Sequence, residues 1–448
     1  MTGQRYQTGC AAESKEMGGA SPSDYAFYVN FNNGNVNWNN QNNNGFVRAC
    51  RRVPASECQD AARVELRDLI HAWKEARRGK VPSLNQTGFD ANWADNLLTL
   101  QEQLNAGTWA PKPSICFIAT APKAREIHAP DFSDRVVHHL VIPKLEAIFE
   151  PKFIFDSFAN RVGKGTHEAV NRLKGFFREV HSGHRGGYFL QLDIRNFFNT
   201  IHRPTLYKLL KAQMEKAGLP LLDQRVIHAL LRRSPLKQGV VYRATTEERA
   251  AVPPHKRLEN AAPGCGLPIG NLSSQFFANV YLNELDQFVK HVLKAKRYLR
   301  YVDDFVLVHE SREQLEAWKG DIERFLAERL RLRLKNEVRL APLTEGCDFL
   351  GYVIHPTHTT VRPRVIQHAR EKLWAFQQRH AANGALRVTP EAYDAGRAIW
   401  ASYQGHFAHA SSHRLTADFH HRFPWLRAFQ RRRRFDHSLA GQPVAIHY

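Results

Sequence analysis

Apolar residues recur at helical spacing between Cys58 and Arg77, at Ala61, Val64, Leu66, Leu69, Ile70 and Trp73, and predict an amphipathic helix. A second helix is predicted over Ala94–Leu104, ended by Gly107. Helical patterns return from about His167, over the charged stretch 311–331, and again over Ile366–His380 and Pro390–Ser402. Two stretches between them read differently. Gly187-Tyr-Phe-Leu-Gln-Leu-Asp193 predicts a strand that ends on an aspartate, with Phe197 and Phe198 just beyond. Arg297-Tyr-Leu-Arg-Tyr-Val-Asp-Asp-Phe-Val-Leu-Val-His309 carries β-branched and aromatic residues up to an acidic pair and apolar residues away from it. That pattern predicts a β-hairpin with Asp303 and Asp304 at its turn.

Burying adjacent carboxylates costs several kcal/mol unless a cation offsets their repulsion. A divalent metal does so, and hard oxygen donors suit Mg²⁺. An Asp-Asp pair alone is more often a solvated turn. The third carboxylate, Asp193 at a strand end, shifts the balance. One strand-end aspartate plus a hairpin pair is the donor set of two-metal phosphoryl transfer. One ion would activate a primer 3′-hydroxyl and the other would hold the triphosphate, about 4 Å away.

Asp193-Ile194 with Phe198, then Gly266-Leu-Pro-Ile-Gly-Asn-Leu-Ser-Ser-Gln275, then Tyr301-Val-Asp-Asp304, then Phe349-Leu-Gly-Tyr352 resemble, in order and spacing, the palm motifs of reverse transcriptases. The resemblance spans roughly residues 57 to 430 and implies an α+β right-hand polymerase: fingers and palm on an antiparallel sheet, then a helical thumb. The expected divisions are an Asn-rich extension over 1–55, fingers and palm over 56–355, and thumb with basic tail over 356–448. The implied reaction is RNA-templated addition of dNTPs to a 3′-hydroxyl with two Mg²⁺ ions, held by Asp193, Asp303, Asp304 and the Ile194 carbonyl.

Other roles follow from the same resemblance. Phe198 would sit under the sugar and exclude a 2′-hydroxyl, with Phe197 as a core aromatic. The block Ala121–Leu140 resembles the first fingers motif, its helix starting near Ser133 as N-cap. There Lys123 and Arg125 would reach the triphosphate or template, with plain strand-edge charge as the alternative. Ser157-Phe-Ala-Asn-Arg161-Val-Gly-Lys164-Gly-Thr166 resembles the second fingers motif, which lies along template and primer. It lacks the spacing of a nucleotide-hydrolase phosphate loop. Ile269, Gly270 and Gln275 belong to a loop packed against the templating pair. Ile269 and Gln275 stand where most reverse transcriptases carry Gln and Pro, and this form resembles that of diversity-generating enzymes. Leu332-Arg-Leu-Lys335 resembles a last palm strand, and Gly351-Tyr352 the primer grip. Lys335 would protonate departing pyrophosphate, or is a solvated strand charge.

The chain has 448 residues, with 63 Lys and Arg against 43 Asp and Glu, a net charge of +20. Such a balance points to a polyanionic partner, here template RNA and cDNA or primer. No stretch approaches the roughly 20 apolar residues of a membrane span, so no membrane is expected. Cys10, Cys50, Cys58, Cys116, Cys265 and Cys347 show no paired metal-ligand spacing. They read as reduced thiols of a cytoplasmic protein and imply no structural zinc. His406, His409, His413, His420 and His421 lack partners at ligand spacing and read as a nucleic-acid face or core packing. Arg431, Arg432, Arg433 and Arg434 form a run suited to RNA phosphates, or a solvated tail.

Ten of the fifteen residues from Asn30 to Asn44 are asparagine. One reading is a low-complexity polar leader. Another comes from the genetic code: Asn codons begin with two adenines and end in a pyrimidine, so changing those adenines never creates a stop. The stretch Tyr25–Arg48 resembles a translated template repeat of a diversity-generating retroelement, whose enzyme copies a template RNA with errors at adenines. In that family the enzyme works with a small basic accessory protein. A phage-defence reverse transcriptase and a catalytically idle RNA-binding scaffold are the alternatives. No stretch reads as an RNase H or HNH domain, which sets the expectation against a self-sufficient mobile intron protein.

Overall fold

The structure, a computed structural model, describes residues 63–120, 123–184, 186–232, 239–382, 385–430 and 444–447, together with the backbone of strands Tyr25–Val29 and Val36–Asn40. Those two strands pair antiparallel, Tyr25 opposite Asn40. The rest of the Asn-rich segment and Arg431 to Arg434 lie outside the described residues. The chain forms two compact units. The first takes Met1–Phe149, Tyr207–Glu259 and Leu267–Ser274, and the second Glu150–Leu206, Asn260–Gly266 and Gln275–Tyr448.

In the first unit the N-terminal apolar pattern becomes the helix Leu66–Arg77, with Leu69, Ala72, Trp73 and Ala76 buried along one face. The part of the pattern over residues 58–62 lies outside the described residues, and Val64 stays outside the helix because it is bonded elsewhere. Its N–H donates to Asn105 Oδ1 at 2.8 Å, and its carbonyl accepts from the Gln101 and Asn105 amides. Leu84–Ala91 is a helix the sequence pattern did not reveal; the Ser83 hydroxyl caps it by accepting from the Gln86 N–H at 3.2 Å. Trp93–Asn105 follows, as expected.

Phe132–Phe149 buries residues on every side, among them Val136, Val137, Leu140, Val141 and Leu145. Its cap is Asp131 and not Ser133. The Asp131 carboxylate accepts from the Ser133 N–H at 3.0 Å and from the Ser133 hydroxyl at 2.6 Å, which leaves Ser133 inside the first turn. Lys144 then ties this helix to Leu221–Arg232 through Asp223 at 2.8 Å. The sheet of this unit runs Arg125–Ala129, Ser114–Ala119, Val240–Tyr242, the first pair antiparallel and the second parallel.

The second unit is built on an antiparallel sheet ordered Tyr298–Tyr301, Asp304–His309, Tyr188–Asp193, Arg339–Pro342. Phe189, Val306 and Val308 face the helix Thr166–His184, meeting its Ala169, Leu173, Phe177 and Val180. The helix Arg312–Phe325, with Leu315 and Ile322 buried, packs on the same central strands. With both faces covered, the central strands read as nearly continuous apolar runs.

The helices Pro363–His380 and Pro390–Phe407 fall where the pattern places them, and His413–Arg422 and Leu426–Gln430 follow. They share a buried aromatic core of Phe376, Trp400, Phe407, Phe419, Trp425 and Phe429. Gly396 is required inside its helix, since a Cβ there would lie 2.6 Å from the Phe376 ring. Among the described residues no helix is long and apolar enough to cross a membrane.

Candidate active site

The strands Tyr188–Asp193 and Asp304–His309 pair so that Asp193 lies opposite Asp304. Opposed residues project from the same face of a sheet, so the register alone brings these two carboxylates together. Asp303 occupies the turn just before Asp304, and its carbonyl accepts from the Ile194 N–H at 3.3 Å. The Lys335 ammonium forms an ion pair with Asp193, and the Lys335 N–H donates to the Asp193 carbonyl at 2.8 Å. Leu332–Lys335 is not the extended strand that its pattern suggested. It contributes an isolated bridge between Leu334 and Ile194, while Arg339–Pro342 supplies the fourth strand. The Leu332 N–H still donates to the Leu326 carbonyl at 2.9 Å, so this segment is closing the preceding helix.

Burial pushes the Asp304 carboxyl up to about 7, with Asp193 and Asp303 adding to the rise and Gln191 and Lys335 opposing it. Asp193 Oδ1 is buried without a hydrogen-bond partner. A cluster of oxygen donors with an orphaned acceptor and a carboxylate resisting ionisation fits a divalent cation.

The hairpin turn is strained and braced. Val302 takes φ = 57°, a conformation costly for a β-branched residue. Arg300 Nη1 donates to the Val302 carbonyl at 2.9 Å, and Arg300 Nη2 meets Asp286 Oδ2 at 2.7 Å with both side chains fully buried. The Tyr298 hydroxyl donates to Asp286 at 2.6 Å, and Arg300 also donates to Ser157 Oγ at 3.1 Å. Burial works against the Arg300 charge, but Asp286 more than offsets it and the guanidinium pKa is raised. Sequence reading passed over Arg300 and Asp286. An arginine two residues before Val302, inside an apolar strand, was the available signal.

Gln191 was also missed. It shares a face with Asp193, and its amide N–H donates to Asp304 Oδ1 at 3.3 Å and to the Asp348 carbonyl at 3.0 Å. Its carbonyl accepts from the Cys347 thiol at 3.6 Å. Burial, followed by the nearby Asp304 charge, holds that thiol protonated.

Phe197 is buried and Phe198 half-buried in the short helix Phe197–Thr200, directly after Asn196 in a left-handed conformation. Arg161 is half-buried, and its guanidinium turns inward to Glu150 at 2.7 Å and to the Ile154 and Ser157 carbonyls at 2.7 and 2.8 Å. Lys164 sits 3.4 Å over the Phe155 ring. Leu350 and Gly351 both take positive φ in a two-residue hairpin turn that sets Phe349 opposite Tyr352. Tyr352 is buried; its ring stacks on His406 at 4.3 Å and its hydroxyl donates to the His406 carbonyl at 2.9 Å. Beside it, His167 stacks on His409 at 3.6 Å, and with His368 and Tyr403 they line an open cleft of about 650 Å³. Gln275 is exposed in the helix Leu272–Gln287.

Lys123, Arg125, Ile269 and Gly270 lie in the first unit. Lys123 and Arg125 are exposed. The Ile269 carbonyl accepts from the His128 N–H at 2.7 Å. Gly270, at φ = 117°, is pressed so close that a Cβ would meet Ile127 at 2.8 Å and the His128 carbonyl at 3.3 Å.

A sheet that gathers three aspartates at one end, in a chain this basic, places the protein among the right-hand polymerases. The family model described as "Reverse transcriptase (RNA-dependent DNA polymerase)" matches residues 110–354, more than half of the chain. The chain belongs to that family and is by class an RNA-directed DNA polymerase. Members of this class use divalent metals. It is 24% identical to Protein YkfC of Escherichia coli K12 over 365 residues, covering 74% of this chain and 87% of YkfC. It is also 24% identical to the group II intron-encoded protein LtrA of Lactococcus lactis over 319 residues, 56% of this chain and 48% of LtrA. The chain thus spans about half the length of LtrA. A solved apo telomerase of Candida tropicalis gives a TM-score of 0.41 at 9% identity, covering 55% of this chain and 54% of that one.

Proposed function

We propose that this chain extends a primer along an RNA template by Mg²⁺-dependent nucleotidyl transfer, as the error-prone enzyme of a diversity-generating retroelement. The observation that carries the chemistry is the register setting Asp193 opposite Asp304, with Asp303 at the adjoining turn. These three carboxylates and the Ile194 carbonyl would hold two Mg²⁺ ions. When bound, the ions would supply Lewis acidity to the primer 3′-hydroxyl and charge neutralisation to the triphosphate.

The protein's own groups orient and discriminate. Gln191 fixes the Asp304 carboxylate by its amide. Lys335, paired to Asp193, would release that partner and donate a proton to departing pyrophosphate. Phe198 presents a half-buried ring just beyond Asp193 that would clash with a 2′-hydroxyl. Lys123 and Arg125 offer exposed positive charge for the triphosphate or template. Gly351 and the histidine-lined cleft beside Tyr352 suit a primer–template duplex.

Purified chain given a primed RNA template, dNTPs and Mg²⁺ is expected to make cDNA. Asp304→Asn should abolish synthesis without lowering the thermal transition, and near-normal extension by that variant overturns the site. The diversification role rests on the asparagine-dense stretch and on Ile269 and Gln275. It predicts a second copy of the DNA encoding Tyr25–Arg52 at the 3′ end of a neighbouring gene, differing almost only at adenines. Flanking DNA without such a copy overturns that role and puts a defence enzyme first.

A further inference from the structure

The first unit holds a second cluster of metal-ligating side chains that polymerisation leaves unused. Cys116 in the strand Ser114–Ala119 is the direct partner of His128 in Arg125–Ala129. Glu126 precedes His128 by two residues and projects from the same face. One ligand atom from each of Cys116, Glu126 and His128 lies within 4.8 Å of the other two, and all three residues are buried. His128 is only 2% exposed; its Nε2 stands 3.2 Å from Glu126 Oε2, while its Nδ1 has no hydrogen-bond partner. A buried imidazole with an unpartnered nitrogen, packed beside a thiol and a carboxylate, is a costly arrangement for a sheet interior.

We propose that Cys116, Glu126 and His128 bind a zinc ion. A thiolate, an imidazole and a carboxylate together form a zinc donor set, softer than the all-oxygen set that Mg²⁺ prefers. Ligand atoms on a tetrahedral zinc lie about 3.3–3.8 Å apart, so small side-chain rotations close the present cluster onto an ion. The cation facing the cluster, Arg249, is itself paired with Glu259 at 3.2 Å. Glu126 is held in place by the Leu258 N–H at 2.8 Å.

The ion would cross-link the two strands and fix the His128 backbone, which bonds the Ile269 carbonyl and presses on Gly270. Three protein ligands would leave the fourth position to water, and the ion would stiffen the strand against which that loop rests. The three side chains share no residue with the aspartate site, and the zinc would bind whatever the chain polymerises.

The test is zinc content and coordination in the full chain, purified without a polyhistidine tag. Expected are about one tightly held zinc per chain, one sulfur ligand in the zinc X-ray absorption spectrum, and a thiolate-to-cobalt charge-transfer band after Co²⁺ exchange. Cys116→Ser should lose the band and weaken zinc retention at least about tenfold, while Cys265→Ser keeps both. Absence of zinc uptake, a site with nitrogen and oxygen ligands alone, or an unchanged band in Cys116→Ser overturns the proposal. The absorption spectrum decides on wild-type protein even where Cys116→Ser fails to fold.

Discussion

Arg300 Nη1 donates to the Val302 carbonyl at 2.9 Å, two residues along the same hairpin, while the rest of its guanidinium is neutralised by buried Asp286. A positive φ at a valine persists only where the surroundings over-determine it. Here the brace and its counter-ion hold the turn that carries Asp303. Arg300→Met should lower stability by about 3–5 kcal/mol, because it strands a buried carboxylate. Adding Asp286→Leu should restore much of that loss, since both charges are then gone. Denaturant midpoints measure both effects. Polymerisation should stay impaired in the double variant, where the Val302 carbonyl has lost its donor; full activity there would show that the turn needs no brace.

Gln191 acts on Asp304 through a neutral amide. Gln191→Leu should reduce turnover about 10- to 100-fold, the usual effect of removing a group that orients a metal ligand, and should raise the Mg²⁺ concentration needed for half-maximal rate. The fold should survive, since a leucine on that face joins Phe189 and Val306. An unchanged Mg²⁺ requirement would reduce Gln191 to a packing residue.

Ile269 places an apolar side chain in the loop fixed by His128. A polar side chain there would restore the form common among reverse transcriptases. Ile269→Gln should lower misincorporation opposite template adenine more than opposite other bases. Sequencing cDNA from one defined template compares the two proteins, and equal error spectra would end the idea.

The stack of His167 on His409 predicts a pH dependence. Burial first, then the charges of His409 and His406, lowers the His167 pKa from its ordinary 6.5. The unfolded chain therefore binds more protons than the folded one below that value, and stability falls as pH drops through 6.5 towards the folded pKa. Thermal unfolding between pH 7.5 and pH 5.5 should show this slope, and His167→Gln should flatten it. An identical slope in the variant would assign the effect to other groups.

The linear pattern determined a good deal of this protein. Asp193 closes an apolar strand, and Asp303 and Asp304 stand between two others, so their place at strand ends was legible from period and composition alone. The order of motifs, the helix after His167 and the helices near the C-terminus were legible for the same reason: each is a local run whose burial repeats at a fixed period. What lay beyond reach depends on which strands pair and in what register. Nothing near Gln191 reveals that it meets Asp304, and nothing near Asp286 reveals that it will neutralise Arg300. Cys116 reads as one more reduced thiol, and nothing in the sequence singles out His128, until antiparallel pairing sets them opposite each other. Ser133 looked like a cap until Asp131 was seen to reach it. Local sequence dictates the period of burial, but hydrogen bonds and charges between distant segments exist only once tertiary packing has chosen the neighbours.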